Sequence, residues 1–257
     1  MATSPRSLID ASAQPVYGDL KDRDSLDVAC DGIETVITTA NSAMRGGEDN
    51  VDTVDRQGNR NLIEAARAAG VKQFIFTSFL GADPHSPVPL FQAKAESEAV
   101  LGESGMPYTV LAPNFFMESW VSMVVGIPLQ AGQPITLVGE GQRLHSLISV
   151  GDVAAYATAA VGHPAAINQR LVLGGPEPLS WRGIVDTFGQ VLGQELPVQF
   201  VTPGESVPGL PEIVPPVLAA METYNSPIPM DETARIFGVQ QATLTSFVRH
   251  MLSHPGA

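Results

Sequence analysis

The feature that most constrains this chain is an alternation. Between Pro15 and Val201, short β-branched or aromatic runs take turns with longer runs of helical spacing. The segments Pro15–Asp19 (PVYGD), Glu34–Ala40 (ETVITTA), Lys72–Ser78 (KQFIFTS), Tyr108–Pro113 (YTVLAP), Pro134–Val138, His145–Val150, Arg170–Leu173 and Leu196–Val201 read as strands. Asn50–Ala69, Pro89–Ser104, Phe115–Val125, Val153–Val161 and Trp181–Leu192 read as helices. Gly70 and Gly105 are expected to stop two of them, Pro89 to open one, and Asp152 and Ser180 to cap two more. Strands separated by helices need crossover connections. The expected class is therefore α/β, with a parallel sheet covered by helices on both faces. One local exception is expected: Pro134–Val138 and His145–Val150 as a hairpin across Gly139-Glu140-Gly141-Gln142. After Pro203 the composition shifts to clustered prolines. Helical patterns follow at Val217–Thr223, Glu232–Phe237 and Leu244–Leu252. These predict a helical C-terminal lobe over 203–257, set against a main domain over 1–202.

Charge and composition narrow the function. Fourteen basic against 27 acidic side chains leave a formal charge of -13. Nucleic acid and anionic membrane are poor partners for such a surface, since both require a basic face. The one cysteine, Cys30, rules out an internal disulfide and reads as a small buried apolar residue. The opening residues carry no apolar leader, and no run reaches a membrane span, so a cytoplasmic protein is expected. The five histidines show no metal-ligand spacing, and no G-x-S-x-G elbow occurs. Gly46-Gly47 lacks the third glycine and the lysine of a phosphate loop, so it reads as a turn.

Several segments together carry a family resemblance: VYGDL (16–20), NRNLIEAARAAGVKQFIFTS (59–78), FQAKAESE (91–98), YTVLAPNFFME (108–118), HSLISVGDVA (145–154), GGPEPLSW (174–181) and ETARIFGV (232–239). In order and spacing they resemble the NmrA-like group of atypical short-chain dehydrogenase/reductases, whose relatives include type 2 quinone oxidoreductases. The resemblance implies a Rossmann-like sheet with NAD or NADP lying across the strand carboxyl ends. It departs at the start. Seventeen residues precede Gly18 and none is glycine, so the family's first strand, phosphate-cradling G-x-G-x-x-G turn and first helix are expected to be absent. Thr3-Ser4-Pro5-Arg6 is similar to the tail of the loop after the second strand, where an arginine meets a 2′-phosphate. That favours NADP over NAD, with a merely solvated Arg6 as the alternative.

The resemblance places the site residues. Asp19 and Leu20 are expected against the adenine, with a turn-starting Asp19 as the alternative. Ala40 and Asn41 end the next strand, where small residues let a cofactor approach. A capping Asn41 is the alternative. Thr77 and Ser78 end the strand after the long helix. Lys94 is the family's ribose-holding lysine, or an acid or base if desolvated. An exposed Lys94 paired with Glu98 is the alternative. The tyrosine four residues before that lysine in the broader class is Leu90 here, so tyrosine proton donation is excluded. Pro113, Asn114 and Phe116 are expected beside the nicotinamide, or Phe115 and Phe116 are plain core. His145 reads as structural.

Three readings follow. The first is an NAD(P)H-dependent oxidoreductase passing hydride to a quinone or similar conjugated carbonyl, with Ser78 and Lys94 in its chemistry. Segments 114–150 and 174–202 and the lobe would then form the pocket for a small-molecule substrate. The second is a non-catalytic, cofactor-sensing regulatory protein. The third is a cofactor-free remnant or a mis-started chain. In that case Pro15–Asp19 and Glu34–Ala40 either pair directly or leave an open edge that invites a homodimer.

Overall fold

The computed structural model describes residues 13–43, 45–212 and 214–254. Thr3–Arg6, invoked above for the 2′-phosphate, lies outside them. The chain divides into two compact units. The first holds the residues up to Val110 together with Val161–Arg170, and the second holds Leu111–Ala160 and the residues from Leu171 onward.

The first unit opens with residues 13–19 in no regular structure. The strand expected at Pro15–Asp19 does not form. Pro15 has no N–H to give a ladder, Val16 and Tyr17 are 62% and 70% exposed, and the Asp19 carbonyl accepts from the Asp22 amide to turn the chain into a helix. Direct pairing with the next strand is thereby overturned. The helix α1 (Arg23–Cys30) starts on the Asp22 side chain, and β1 (Thr35–Thr38) follows.

The long helix expected from Asn50 has two parts. Val51–Gly58 is wound with π-type i→i+5 turns and runs directly into α2 (Asn59–Ala68). A reciprocal capping box between Asn50 and Thr53 nucleates it. At the far end, Gly70 (φ 73°) closes the helix as expected. Its N–H reaches Arg67 O, and that of Val71 reaches Ala66 O. β2 (Gln73–Thr77), α3 (Pro89–Glu103) and β3 (Tyr108–Pro113) match the sequence reading closely. The core of this unit joins Leu26 and Cys30 of α1, Ile63 and Ala66 of α2, Phe74 and Phe76 of β2, and Leu101 of α3.

In the second unit the helix expected at Phe115–Val125 starts later, as α4 (Met117–Val121). It continues through π-type turns at Ser122–Gly126 into α5 (Ile127–Gln130). β4 (Ile135–Val138), α6 (Val150–Ala160), β5 (Gln169–Leu173, which begins in the first unit), α7 (Trp181–Leu192) and β6 (Val198–Val201) come next. The helices α8 (Val214–Met221), α9 (Asp231–Phe237) and α10 (Leu244–Ser253) bear out the helical C-terminal patterns.

The hairpin expected at 134–150 does not exist. β4 pairs in parallel with β6, and residues 145–148 make only isolated bridges, His145 to Leu179 and Ser226 and Ile148 to Phe116. Gly139 and Gly141, both at positive φ, form a turn whose Glu140 and Gly141 amides donate to the Glu222 carboxylate at 3.0 and 3.1 Å. Asp152 is not the expected cap either. Ser149 Oγ accepts from the Asp152 amide, and both Asp152 carboxylate oxygens accept from Ala242 N–H at 3.1 Å.

The main sheet is parallel, in the order β1-β2-β3-β5, and carries helices on both faces, as the alternation predicted. β1 pairs with β2 from Thr35↔Gln73 to Thr38↔Phe76, so Ala40 and Ser78 leave from the carboxyl ends of neighbouring strands.

Gly58 is a point of close approach. A Cβ there would stand 2.8 Å from Leu20 Cβ and 3.1 Å from Thr53 O. Gly58→Ala should therefore destabilise the protein by about 1–3 kcal/mol, read from the urea unfolding midpoint.

Candidate cofactor site around Lys94

Lys94 is the centre of the polar cluster in the first unit. It lies on α3, is 6% exposed, and donates from Nζ to Thr77 O at 3.0 Å. Its ammonium also sits 4.8 Å from the centre of the Phe76 ring, a cation–π contact. Burial pushes its pKa below the ordinary lysine value, while Asp55 and then Glu98 pull it back up. The exposed Lys94–Glu98 pair is not what the structure shows. Glu98 instead accepts from the Ser78 hydroxyl through Oε1 and from Arg170 Nε through Oε2 at 2.9 Å. Arg170 also reaches Phe79 O at 3.0 Å, which ties down the loop after β2.

Ser78 is buried, and its hydroxyl proton is committed to Glu98. Thr77 Oγ1 is buried without a partner among the described residues. Thr77, Ser78 and Lys94 are thus brought together. Ala40 and Asn41 leave the adjacent strand. The Asn41 side chain accepts from Ala43 N–H at 2.9 Å and donates to Thr39 O at 3.2 Å, the turn-forming alternative in geometry. Asp19 behaves likewise, with Oδ1 accepting from Lys21 N–H at 2.9 Å. Leu20 packs on the core, and its carbonyl accepts from Asn61 Nδ2 at 2.9 Å.

Pro113, Asn114 and Phe116 belong to the second unit. Asn114 is buried. Its Oδ1 accepts from Phe115 N–H at 2.9 Å, and its amide donates to Leu173 O at 2.8 Å. Phe115 is core, edge-on to Trp120 at 4.8 Å, whereas Phe116 is half-buried where α4 starts. His145 is structural, as expected. Nε2 lies 3.1 Å from Met221 O and Nδ1 2.7 Å from Ser226 Oγ. A carbonyl only accepts, so Nε2 carries the proton and the Ser226 hydroxyl donates to Nδ1.

Sequence reasoning missed four residues of the Lys94 cluster: Ser42, Asp55, Asn59 and Arg170. A signal existed for two. Asp55 and Asn59 share a helical face with Leu62, Ile63 and Ala66, where polar residues are out of place in a core stripe. Cavities of about 260 and 360 Å³ lie elsewhere. One, in the first unit, is lined by Arg56, Arg60 and Glu96 among others. The other, in the second, is lined by Met123, Ile127 and Val207 among others. Neither is lined by Lys94 or Ser78. Among the described residues there is no metal-ligand cluster, and no helix is long and apolar enough to cross a membrane.

A parallel sheet of this order, with polar groups gathered where its strands end, defines a Rossmann-like α/β protein. The chain belongs to the NmrA-like family, whose model matches residues 3–246. It is similar to the NAD(P)H azoreductase of Xenophilus azovorans, at 31% identity over 200 residues that cover 78% of this chain and 65% of the relative. It is also similar to the photosystem II assembly factor Ycf39 of Trieres chinensis, at 31% over 186 residues covering 72% and 57%. The chain thus matches less than two-thirds of the length of either curated relative. In fold it is similar to an NADPH-dependent quinone oxidoreductase of Escherichia coli solved with NADPH, with TM-score 0.77 and 22% identity over 96% of this chain and 86% of that one.

The buried His145 has a consequence for stability. Its pKa is depressed by burial below the ordinary 6.5, against a smaller upward pull from the Met221 carbonyl. The unfolded chain then binds the proton more readily than the folded one. The stabilisation is present above pH 6.5 and is lost as pH falls from there toward the folded value. Urea midpoints of wild type and His145→Gln, taken between about pH 8 and about pH 5, should show a shallower acid loss in the variant.

Proposed function

We propose that this chain binds NADPH or NADH at the carboxyl ends of β1 and β2 and works as an oxidoreductase on a quinone or similar conjugated carbonyl. The observation that carries the reading is Lys94: a buried ammonium at the strand end, without an ion pair within 4 Å among the described residues, holding donors beyond the one given to Thr77 O. Such a group suits ribose hydroxyls or a phosphate oxygen. The unpartnered Thr77 Oγ1 beside it fits the same ligand. In this reading Asp19, Leu20, Ala40 and Asn41 border the adenine side, and Pro113, Asn114 and Phe116 border the nicotinamide. Residues 1–202 carry the cofactor. Segments 114–150 and 174–202 and the lobe 203–257 shape the substrate pocket. NADP is favoured over NAD because of Arg6.

The nicotinamide, when bound, supplies the hydride. The chain's own residues bind and orient. Lys94 fixes the ribose side, Ser78 and Glu98 hold the loop after β2, and Phe116 offers an aromatic face. With Leu90 where a tyrosine would stand and the Ser78 proton given to Glu98, the side chains gathered around Lys94 offer little general acid. A quinone demands little of it, and the naming of relatives as quinone oxidoreductase and azoreductase supports that class. The same shortage of acid favours a second reading, a cofactor-sensing protein that contacts a partner. The similarity to an assembly factor supports it.

Calorimetric titration of NADPH and NADH into the folded protein tests the first step. Micromolar binding is expected, and Lys94→Met should weaken it by at least about tenfold, about 1.4 kcal/mol. A folded protein that takes up neither cofactor at millimolar concentration would sink both readings. Binding without hydride transfer to any quinone tested would leave the sensing one.

A further inference from the structure

The buried carboxylate of Asp55 has no role in the reading above, yet its residue is bonded to the helix that carries Lys94. Asp55 is 0% exposed on the π-wound segment before α2. Its Oδ2 accepts from the Ser42 amide at 3.0 Å and the Ser42 hydroxyl at 2.5 Å. Its Oδ1 is buried without a partner among the described residues. The Asp55 carbonyl accepts from Asn59 Nδ2 at 3.0 Å and from Ser97 Oγ at 3.1 Å. Ser97 lies three residues after Lys94 on α3, so these bonds hold Asp55 against the helix face that carries the lysine.

The charges that face Lys94 are few. From its own helix comes Glu98, whose two oxygens are taken by the Ser78 hydroxyl and the Arg170 guanidinium. From β2 come the Thr77 carbonyl and the Phe76 ring, neither titratable. From the π-wound segment comes Asp55, which meets no cation within 4 Å among the described residues; Ser42 gives it only a hydroxyl and an amide. Glu98 is thus already balanced by Arg170, and Asp55 is not. A buried ammonium without a balancing charge sheds its proton.

We propose that Asp55 is a positioning residue for this site, supplying the negative charge that keeps Lys94 an ammonium in its buried seat and therefore able to hold a hydroxyl-rich or anionic ligand. The proposal rests on Lys94 being the ligand-holding group. The alternative is a purely structural Asp55, clamping Ser42 and the helix start, with no influence on the lysine.

The test reads Lys94 directly in the full-length chain. The protein is labelled at lysine Cε with carbon-13 and titrated with pH by NMR, first without cofactor. The Lys94 midpoint should fall by about one pH unit or more in Asp55→Asn, and by less in Glu98→Gln. Asp55→Ser removes the charge without leaving a buried amide. It carries the measurement if the Asn variant does not fold by circular dichroism. A Lys94 midpoint that stays within about 0.3 pH units in a folded Asp55 variant overturns the proposal. A larger shift in Glu98→Gln than in Asp55→Asn also overturns it. NADPH titrations across the same pH range follow. Affinity should fall off at lower pH in Asp55→Asn, by the same interval as the lysine midpoint. If the midpoint shifts but the wild type binds no cofactor, the Asp55–Lys94 coupling stands and the cofactor reading falls.

Discussion

Everything in the first unit is arranged around a strand that is buried on both faces. β2 reads Gln-Phe-Ile-Phe-Thr, and Phe74, Ile75 and Phe76 are all within 1% of full burial. A strand of this kind needs cover on each side, which only crossover helices supply in a parallel sheet. On one face, Phe74 and Phe76 meet α1, α2 and α3 in a single core. The price of that burial falls on whatever polar group must sit at the strand's end. Lys94 occupies this place, over Phe76 and against the Thr77 carbonyl, where desolvation opposes its charge and nearby carboxylates restore it.

The second unit shows how a chain with almost twice as many acidic as basic side chains spends its surplus of carboxylates. Many of them bond backbone amides rather than cations. Glu118 accepts from Val150 N–H at 3.0 Å where α6 starts, and Glu177 accepts from Leu244 N–H at 3.1 Å where α10 starts. Both are helix N-termini, which leave amides without intrahelical partners and carry a positive dipole end. Glu222 serves the turn at Glu140-Gly141 in the same way, and Asp152 serves Ala242. These carboxylates are therefore the means by which this unit's turns and helix starts are tied.

The site was legible to different depths. Lys94, Ser78 and Thr77 came from a resemblance carried by short motifs, and the structure gathers them at one strand end. Asp55 escaped because its significance is an environment rather than a motif. In the sequence it is one acid among 27, while in the fold it is a buried carboxylate with one oxygen unpartnered. The commitment of the Ser78 proton to Glu98 was equally invisible, because the two are 20 residues apart and meet only when α3 packs on β2.

What the sequence determined by itself was local. Side-chain periodicity, Gly70 after α2, Pro89 at the start of α3 and Ser180 before α7 each act within a few residues, so the elements and the α/β class could be read directly. Only the tertiary structure decided which strand found a partner. Residues 15–19 have strand character and stay unpaired, and β4 takes β6, some 60 residues on, rather than its neighbour at 145–150. It also decided which charges were buried. The reason is the same for both: pairing and desolvation are set by what the rest of the chain brings alongside, and no local pattern encodes that.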